Sequence, residues 1–211
     1  SFKISQAQAP AFFLGPNLVY NPSFEYVDTC LLPQMTSSIF SKNSNYHYLK
    51  GWFSANFATP DWFDSCSGPT LFRVPNNYIG YQLPRSGKGY AGTMIQKQFR
   101  KYLQTVLDQP LKKYRKYFVK YYINRGGDEY PKFMGCDRLG VHFAKDTFFE
   151  QTPGKIMLFP HLITPDDLYF IDTLNWTEIT DTFISNGGEK VVIFGNFDKA
   201  EDIKFVNLGN N

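Results

Sequence analysis

The chain has 211 residues, a length that one all-β domain can fill without dividing. Its 22 Lys and Arg against 19 Asp and Glu leave a net charge of only +3, with most basic residues scattered, which argues against nucleic acid as the partner. Aromatics make up 18% of the residues, a bias toward sheets whose large rings pack across strands, and no stretch approaches the ~20 consecutive apolar residues of a membrane-crossing helix.

In chain order, the opening Ser1-Phe2-Lys3-Ile4-Ser5-Gln6-Ala7-Gln8-Ala9 ends in a small-residue A-x-A pattern. That fits either the end of a cleaved secretory signal or a polar tail, so residues 1–9 are set apart and a single module is expected over 10–211. Two polar loops follow, one over 34–45 and one over 60–77, in the position where sandwich folds carry function. The basic cluster Lys112, Lys113, Arg115 and Lys116 follows Pro110 between two strand-like runs and reads as a solvated turn, with an anionic partner as the other reading.

Next, Tyr117, Val119, Tyr121 and Ile123 alternate onto one face of a strand, and Leu139, Val141 and Phe143 do the same around Gly140 and His142. The continuous apolar run Val191-Val192-Ile193-Phe194 suits a strand covered on both sides. Just before it, Asn186-Gly187-Gly188 supplies positive-φ turn geometry to reverse the chain into that strand. With no long 3.6-residue period, these elements predict an all-β, antiparallel jelly roll or β-sandwich with little helix.

Chemistry is sparse. His47, His142 and His161 lack a recognisable nucleophile or base partner, and His142 alternates with core residues. Asp61, Asp64, Asp166 and Asp167 hold the carboxylates that glycoside cleavage needs, but Asp166-Asp167 follows Pro165 as a turn cap does, and no role is assigned to them. Cys30, Cys66 and Cys136 lack zinc-ligand spacing. The aromatics Trp52, Phe53, Trp62, Phe63, Tyr78, Tyr81 and Tyr90, with Arg85, lie in or beside the Gly-, Pro- and Asn-rich segments. Core packing accounts for most of these rings; the others are candidates to stack on a sugar or anchor a partner, with Arg85 able to grip a carboxylate or carbonyl in bidentate fashion.

The segment Asn17-Leu18-Val19-Tyr20-Asn21-Pro22-Ser23-Phe24-Glu25 resembles the opening of a family of bacterial envelope modules. In that family the module often precedes a peptidoglycan-binding domain like that of outer membrane protein A. The resemblance continues in order through Gly51-Trp52, Thr59-Pro60-Asp61-Trp62-Phe63-Asp64-Ser65-Cys66, Val74-Pro75-Asn76-Asn77 with Gly80-Tyr81-Gln82, Pro84-Arg85-Ser86-Gly87, Gly89-Tyr90-Ala91-Gly92 and Tyr102-Leu103-Gln104. It ends at Gly187-Gly188-Glu189 and Gly195-Asn196-Phe197, so it covers roughly residues 17–197.

The resemblance implies a galactose-binding-domain-like jelly roll exported to the periplasm or outer membrane of a Gram-negative bacterium. It implies a non-catalytic module that docks into an outer-membrane or envelope protein complex, with a link to peptidoglycan. The alternative is a carbohydrate-binding module for a cell-wall or surface glycan. Trp52, Trp62, Phe63, Tyr78, Tyr81, Arg85 and Tyr90 are the expected contact residues. No cofactor is required, and Glu25 is the one side chain matching the structural calcium that such jelly rolls often hold near their first strand.

In the exported setting, Cys30 and Cys66, both in matching blocks, form a disulfide worth roughly 3–4 kcal/mol, and Cys136 stays a free thiol. The competing reading is three free thiols in a cytosolic protein. The sequence departs from the family at Tyr114, where a turn glycine is usual, and at Cys136, in a stretch normally without cysteine. It also stops at Leu208-Gly209-Asn210-Asn211, short of the family's last strand, as a fragment of a longer protein would.

Overall fold

A computed structural model describes residues 2–6, 15–30, 49–67, 71–127 and 134–207. The first half supplies strands β1 (Lys3–Gln6), β2 (Trp52–Ser54), β3 (Asp61–Asp64), β4 (Asn76–Asn77), β5 (Gly80–Tyr81), β6 (Gly89–Gly92) and β7 (Leu103–Val106). The second half supplies β8 (Lys116–Ile123), β9 (Met134–Cys136), β10 (Gly140–Ala144), β11 (Leu162–Ile163), β12 (Thr177–Ile184), β13 (Val191–Gly195) and β14 (Phe205–Asn207). All paired strands run antiparallel, and the described residues contain no helix.

Two sheets form the sandwich: β1-β8-β12, and β11-β10-β13-β7-β2. The alternation read from the sequence sets how they face each other. Tyr117, Val119 and Tyr121 of β8 turn inward, and they share one core with Val141 and Phe143 of β10 and Val192 and Phe194 of β13. The Tyr121 and Phe194 rings meet edge to face at 5.3 Å, while Phe143 stacks on Phe183 of β12 at 4.2 Å. Burying each such side chain is worth about 1.5–3 kcal/mol, so these contacts fix the stacking of the sheets.

The continuous apolar run of β13 is buried along its whole length, as the sequence predicts. Its second face packs with Tyr102, Ile156 and Phe197, against which Phe148 and Leu158 also lie, so the 148–158 segment covers the outside of the larger sheet.

The Asn186-Gly187-Gly188 turn does something other than close a hairpin. β12 and β13 belong to different sheets, so the turn carries the chain across the sandwich. Gly187 and Gly188 take φ of 95° and 90°, a region that L side chains rarely enter. Glu189 fastens the turn by accepting hydrogen bonds from the Ser185 hydroxyl and the backbone N–H groups of Asn186 and Gly187. Burial opposes its charge, yet these bonds hold its carboxyl below the usual range. Tyr114 also takes a positive φ, 59°, at a position that is 74% exposed, with Lys113 Nζ 4.7 Å from the centre of its ring.

Residues 3–6, set apart in the sequence as signal remnant or tail, are a strand of the fold. β1 pairs with Tyr117 to Lys120 of β8, and the Ile4 side chain is wholly buried. The Asn17 side chain ties it down, accepting from Ile4 N and donating to Phe2 O. Asn21 works similarly, bonding the backbone of Tyr26 and Lys50, while Trp52 Nε1 donates to Asn21 O at 2.8 Å. The Asn17–Glu25 stretch is thus a scaffold, built on the half-buried Asn17, the buried Asn21 and core side chains. The final described strand, β14, pairs with β9.

At the edge of the larger sheet, His161 Nδ1 accepts the Phe143 N–H at 3.1 Å, and its ring lies 4.8 Å from that of His142. Burial first, and His142 second, hold the His161 pKa below its ordinary value. The unfolded chain therefore takes up this proton before the folded one does, and stability is lost as pH falls below about 6.5. Urea melts at pH 7.5, 6.5 and 5.5 should show this decline, and His161→Asn, which keeps an acceptor but cannot titrate, should flatten it. An unchanged slope in the variant would count against the assignment.

Candidate functional site

A cleft opens at one end of the sandwich, where β6, the end of β8 and the loops over 82–86, 124–127 and 172–176 converge. Arg85, Tyr90, Tyr122, Asn124, Arg125 and Trp176 are the side chains on its walls that carry recognition chemistry. Its volume is about 160 Å³, and a neighbouring hollow of about 450 Å³ shares Ile79, Ile123, Asn124 and Arg125 with it. The pair together falls in the size range of small-ligand sites.

Close backbone packing shapes this end. A Cβ on Gly127 would lie 2.5 Å from Gly80 Cα and 2.8 Å from Ile79 O, so only glycine lets the loop after β8 rest on the β4–β5 hairpin. On its other side the loop is held by Arg125 N donating to Asp172 O and by Asn124 Nδ2 donating to Asn175 O.

The rings form a continuous series from core to surface. Phe72 meets Tyr78 edge to face, Tyr78 contacts Phe63, and Phe63 stacks on Tyr90 with centroids 5.0 Å apart. Tyr90 then meets the edge of Trp176 at 5.6 Å. Each outer ring is also held by a polar bond: Asn77 Nδ2 donates to the Tyr90 hydroxyl, and Trp176 Nε1 donates to Leu83 O. Burial pushes the Tyr90 hydroxyl's pKa up, against the pull of Asn77, so it stays protonated. The Arg85 guanidinium carbon stands 3.5 Å above the centre of the Tyr122 ring. The Tyr122 hydroxyl donates to Glu178, whose carboxyl this bond and Lys120 hold below the usual range.

Of the residues expected from the sequence, Arg85 and Tyr90 line the cleft, Phe63 is wholly buried against Tyr90 in its floor, and Tyr78 lines the neighbouring hollow. Trp52 and Trp62 are in the core, 2% and 0% exposed, where packing accounts for them and no ligand can reach. Tyr81 is 58% exposed but outside the cleft. Glu25, the expected calcium ligand, has Oε1 accepting the N–H groups of Lys88 and Gly89, which makes it a latch on the loop before β6. Among the described residues no three His, Cys, Asp or Glu side chains converge as a metal set.

Tyr122, Asn124, Arg125 and Trp176 were not singled out from the sequence. Tyr122 carried a usable signal: it occupies the solvent phase of the β8 alternation, where an aromatic ring is out of place. Trp176, separated from Arg85 by some ninety positions, gave none.

The carboxylates considered for glycoside cleavage are placed otherwise. Asp61 is buried, paired with Lys101 Nζ at 2.5 Å and accepting the Tyr78 hydroxyl at 2.7 Å. Asp64 points to the other face of β3 and accepts Cys66 N, with burial raising its pKa. Asp166 pairs with Arg138, which also grips Asp198.

No protein-family model, no curated protein and no solved structure matches the chain. The geometry of the cleft therefore carries the functional argument.

Proposed function

We propose that this protein is a non-catalytic module of the bacterial cell envelope, and that it takes hold by binding a glycan in the cleft bounded by Arg85, Tyr122 and Trp176. The observation that supports this best is the make-up of the walls: the half-buried rings of Tyr90, Tyr122 and Trp176, which suit the apolar faces of a sugar. Among the described residues that line the cleft there is no His, Asp, Glu, Cys or Lys, and the Glu25 carboxylate near Ser86 is taken up by the N–H groups of Lys88 and Gly89, which favours binding over turnover. The Cys30–Cys66 disulfide supports an oxidising compartment outside the cytoplasm.

Titration against soluble peptidoglycan fragments and a panel of surface polysaccharides tests this reading. Tyr122→Ala and Trp176→Ala are each expected to weaken binding about tenfold, equivalent to ~1.4 kcal/mol, with little change in Tm. Glycan binding that survives both substitutions, or no glycan binding at all, would overturn it.

A second reading, docking onto a protein of an outer-membrane assembly, is favoured by exposed apolar side chains away from the core. Met157, Phe159 and Leu174 are 75%, 82% and 82% exposed. Co-purification of an envelope protein that is lost on Phe159→Ser but kept in Tyr122→Ala would select this reading.

A further inference from the structure

The basic turn that precedes β8 is one edge of a larger patch. Lys112, Lys113, Arg115 and Lys116 are all exposed where β8 begins, roughly 25 Å along that strand from the cleft. The 186–188 turn presses against them: a Cβ on Gly187 would lie 2.8 Å from Lys113 Cβ, and one on Gly188 would lie 3.7 Å from Lys145 Cε. Lys145, remote in sequence, therefore joins the four, and among the described residues none of the five is paired with a carboxylate. Three carboxylates share this end of the sandwich. Glu189 is enclosed by its turn, Asp146 is paired with Lys190, and Asp108 precedes Pro110 in the loop that leads to the basic turn.

Apolar side chains stand among the cations. The exposed Tyr114 carries Lys113 Nζ near its ring, and Ile184, 60% exposed, pairs across from Lys116. Backbone bonds hold the arrangement: Tyr114 N donates to Ser185 O at 2.8 Å, Ser185 N to Arg115 O at 3.0 Å and Leu111 N to Glu189 O at 2.7 Å. The positive φ of Tyr114 costs an L residue energy, and at this exposure the ring returns little burial to the fold.

We infer that this end of the sandwich docks onto an anionic phospholipid bilayer, with the five cations on headgroup phosphates and Tyr114 and Ile184 in the interfacial layer. The inference goes beyond the glycan reading and does not depend on it. Basic side chains are drawn to an anionic leaflet within about a Debye length, and their effects accumulate. A dissolved polyanion such as heparin or duplex DNA satisfies the cations alone. A bilayer also offers the boundary between headgroups and acyl chains, where a tyrosine ring and an aliphatic side chain are favoured. Because the two bonded turns preform the patch, little ordering opposes docking.

Co-sedimentation of the full chain with vesicles of equal parts phosphatidylglycerol and phosphatidylcholine, against vesicles of phosphatidylcholine alone, tests this. Binding is expected to be at least about tenfold tighter to the anionic vesicles and to weaken as salt rises. Lys112→Gln/Lys113→Gln/Arg115→Gln should reduce it at least about tenfold. Tyr114→Gly should hold Tm, because glycine enters that φ freely, yet weaken vesicle binding several-fold.

Equal binding to the two vesicle compositions, or none, would overturn the inference. So would a preference that survives the charge substitutions. A preference that Tyr114→Gly and Ile184→Ser leave untouched, with heparin bound as tightly as the vesicles, would mark a general polyanion effect and count equally against it. The vesicles carry no glycan, so the outcome is read separately from that of the cleft. Since the comparison of vesicle compositions uses the unaltered protein, misfolding of a variant does not block the decision.

Discussion

Opening the Cys30–Cys66 bridge, by reductant or by replacing both cysteines with alanine, is expected to cost about 4 kcal/mol of stability. The two residues are 36 positions apart with Cα atoms 5.6 Å from each other, within the ordinary range for a disulfide. A cross-link of that span removes loop-closure entropy from the unfolded chain, and at ~2–4 °C per kcal/mol for a protein of this size Tm should fall by roughly 8–16 °C.

Cys136 offers an internal control. It forms no disulfide, and burial, with the neighbouring Asp137 charge, pushes its thiol up to about 12, so little reactive thiolate exists at neutral pH. Cys136→Ser should leave the melting curve close to that of the parent, and iodoacetamide should label Cys136 only after unfolding. A double-alanine variant that melts within about a degree of the parent would refute the role given to the bridge.

Lys101→Met is expected to lower stability by a similar amount, about 3–5 kcal/mol, because it strands the Asp61 carboxylate inside the protein. Both members of the pair are buried, Lys101 at 9% and Asp61 at 4% exposed, and among the described residues the Tyr78 hydroxyl would remain to satisfy the charge. Combining Lys101→Met with Asp61→Leu removes both charges and should recover most of the loss, because two apolar side chains need no partner. The coupling between the two sites, read from denaturant melts of the four variants, measures the interaction. Additive effects would mean that the pair is not a unit and would reopen Asp61 as a chemical group.

The β character and the sandwich were legible in the sequence because they rest on local periodicity. Tyr117, Val119 and Tyr121 alternate at the strand period, and in the structure that alternation is the inner face of β8. The unbroken Val191–Phe194 run announced a strand buried on both sides, and β13 is one. The Cys30–Cys66 pairing, expected from the blocks in which the two cysteines fall, is also present.

Other features depended on contacts between distant segments. Nothing local distinguishes Trp52 and Trp62, which are enclosed by the core, from Tyr122 and Trp176, which line the cleft, because exposure of a ring is decided by what folds over it. The same holds for Asn186-Gly187-Gly188: the sequence specified a turn, but the sheet to which the next strand would belong depended on pairing with β7 and β10.

By itself, then, the sequence determined which residues alternate, where the chain turns and how little charge it carries, since these follow from neighbours a few positions apart. Only the tertiary structure decided that Asp61 is neutralised by Lys101, that Glu25 latches Lys88 and Gly89, and that Arg85 lies on Tyr122. Those pairings span about 35 to 65 positions, and the free energy that selects them comes from packing and desolvation of the assembled sandwich, not from any local preference of the chain.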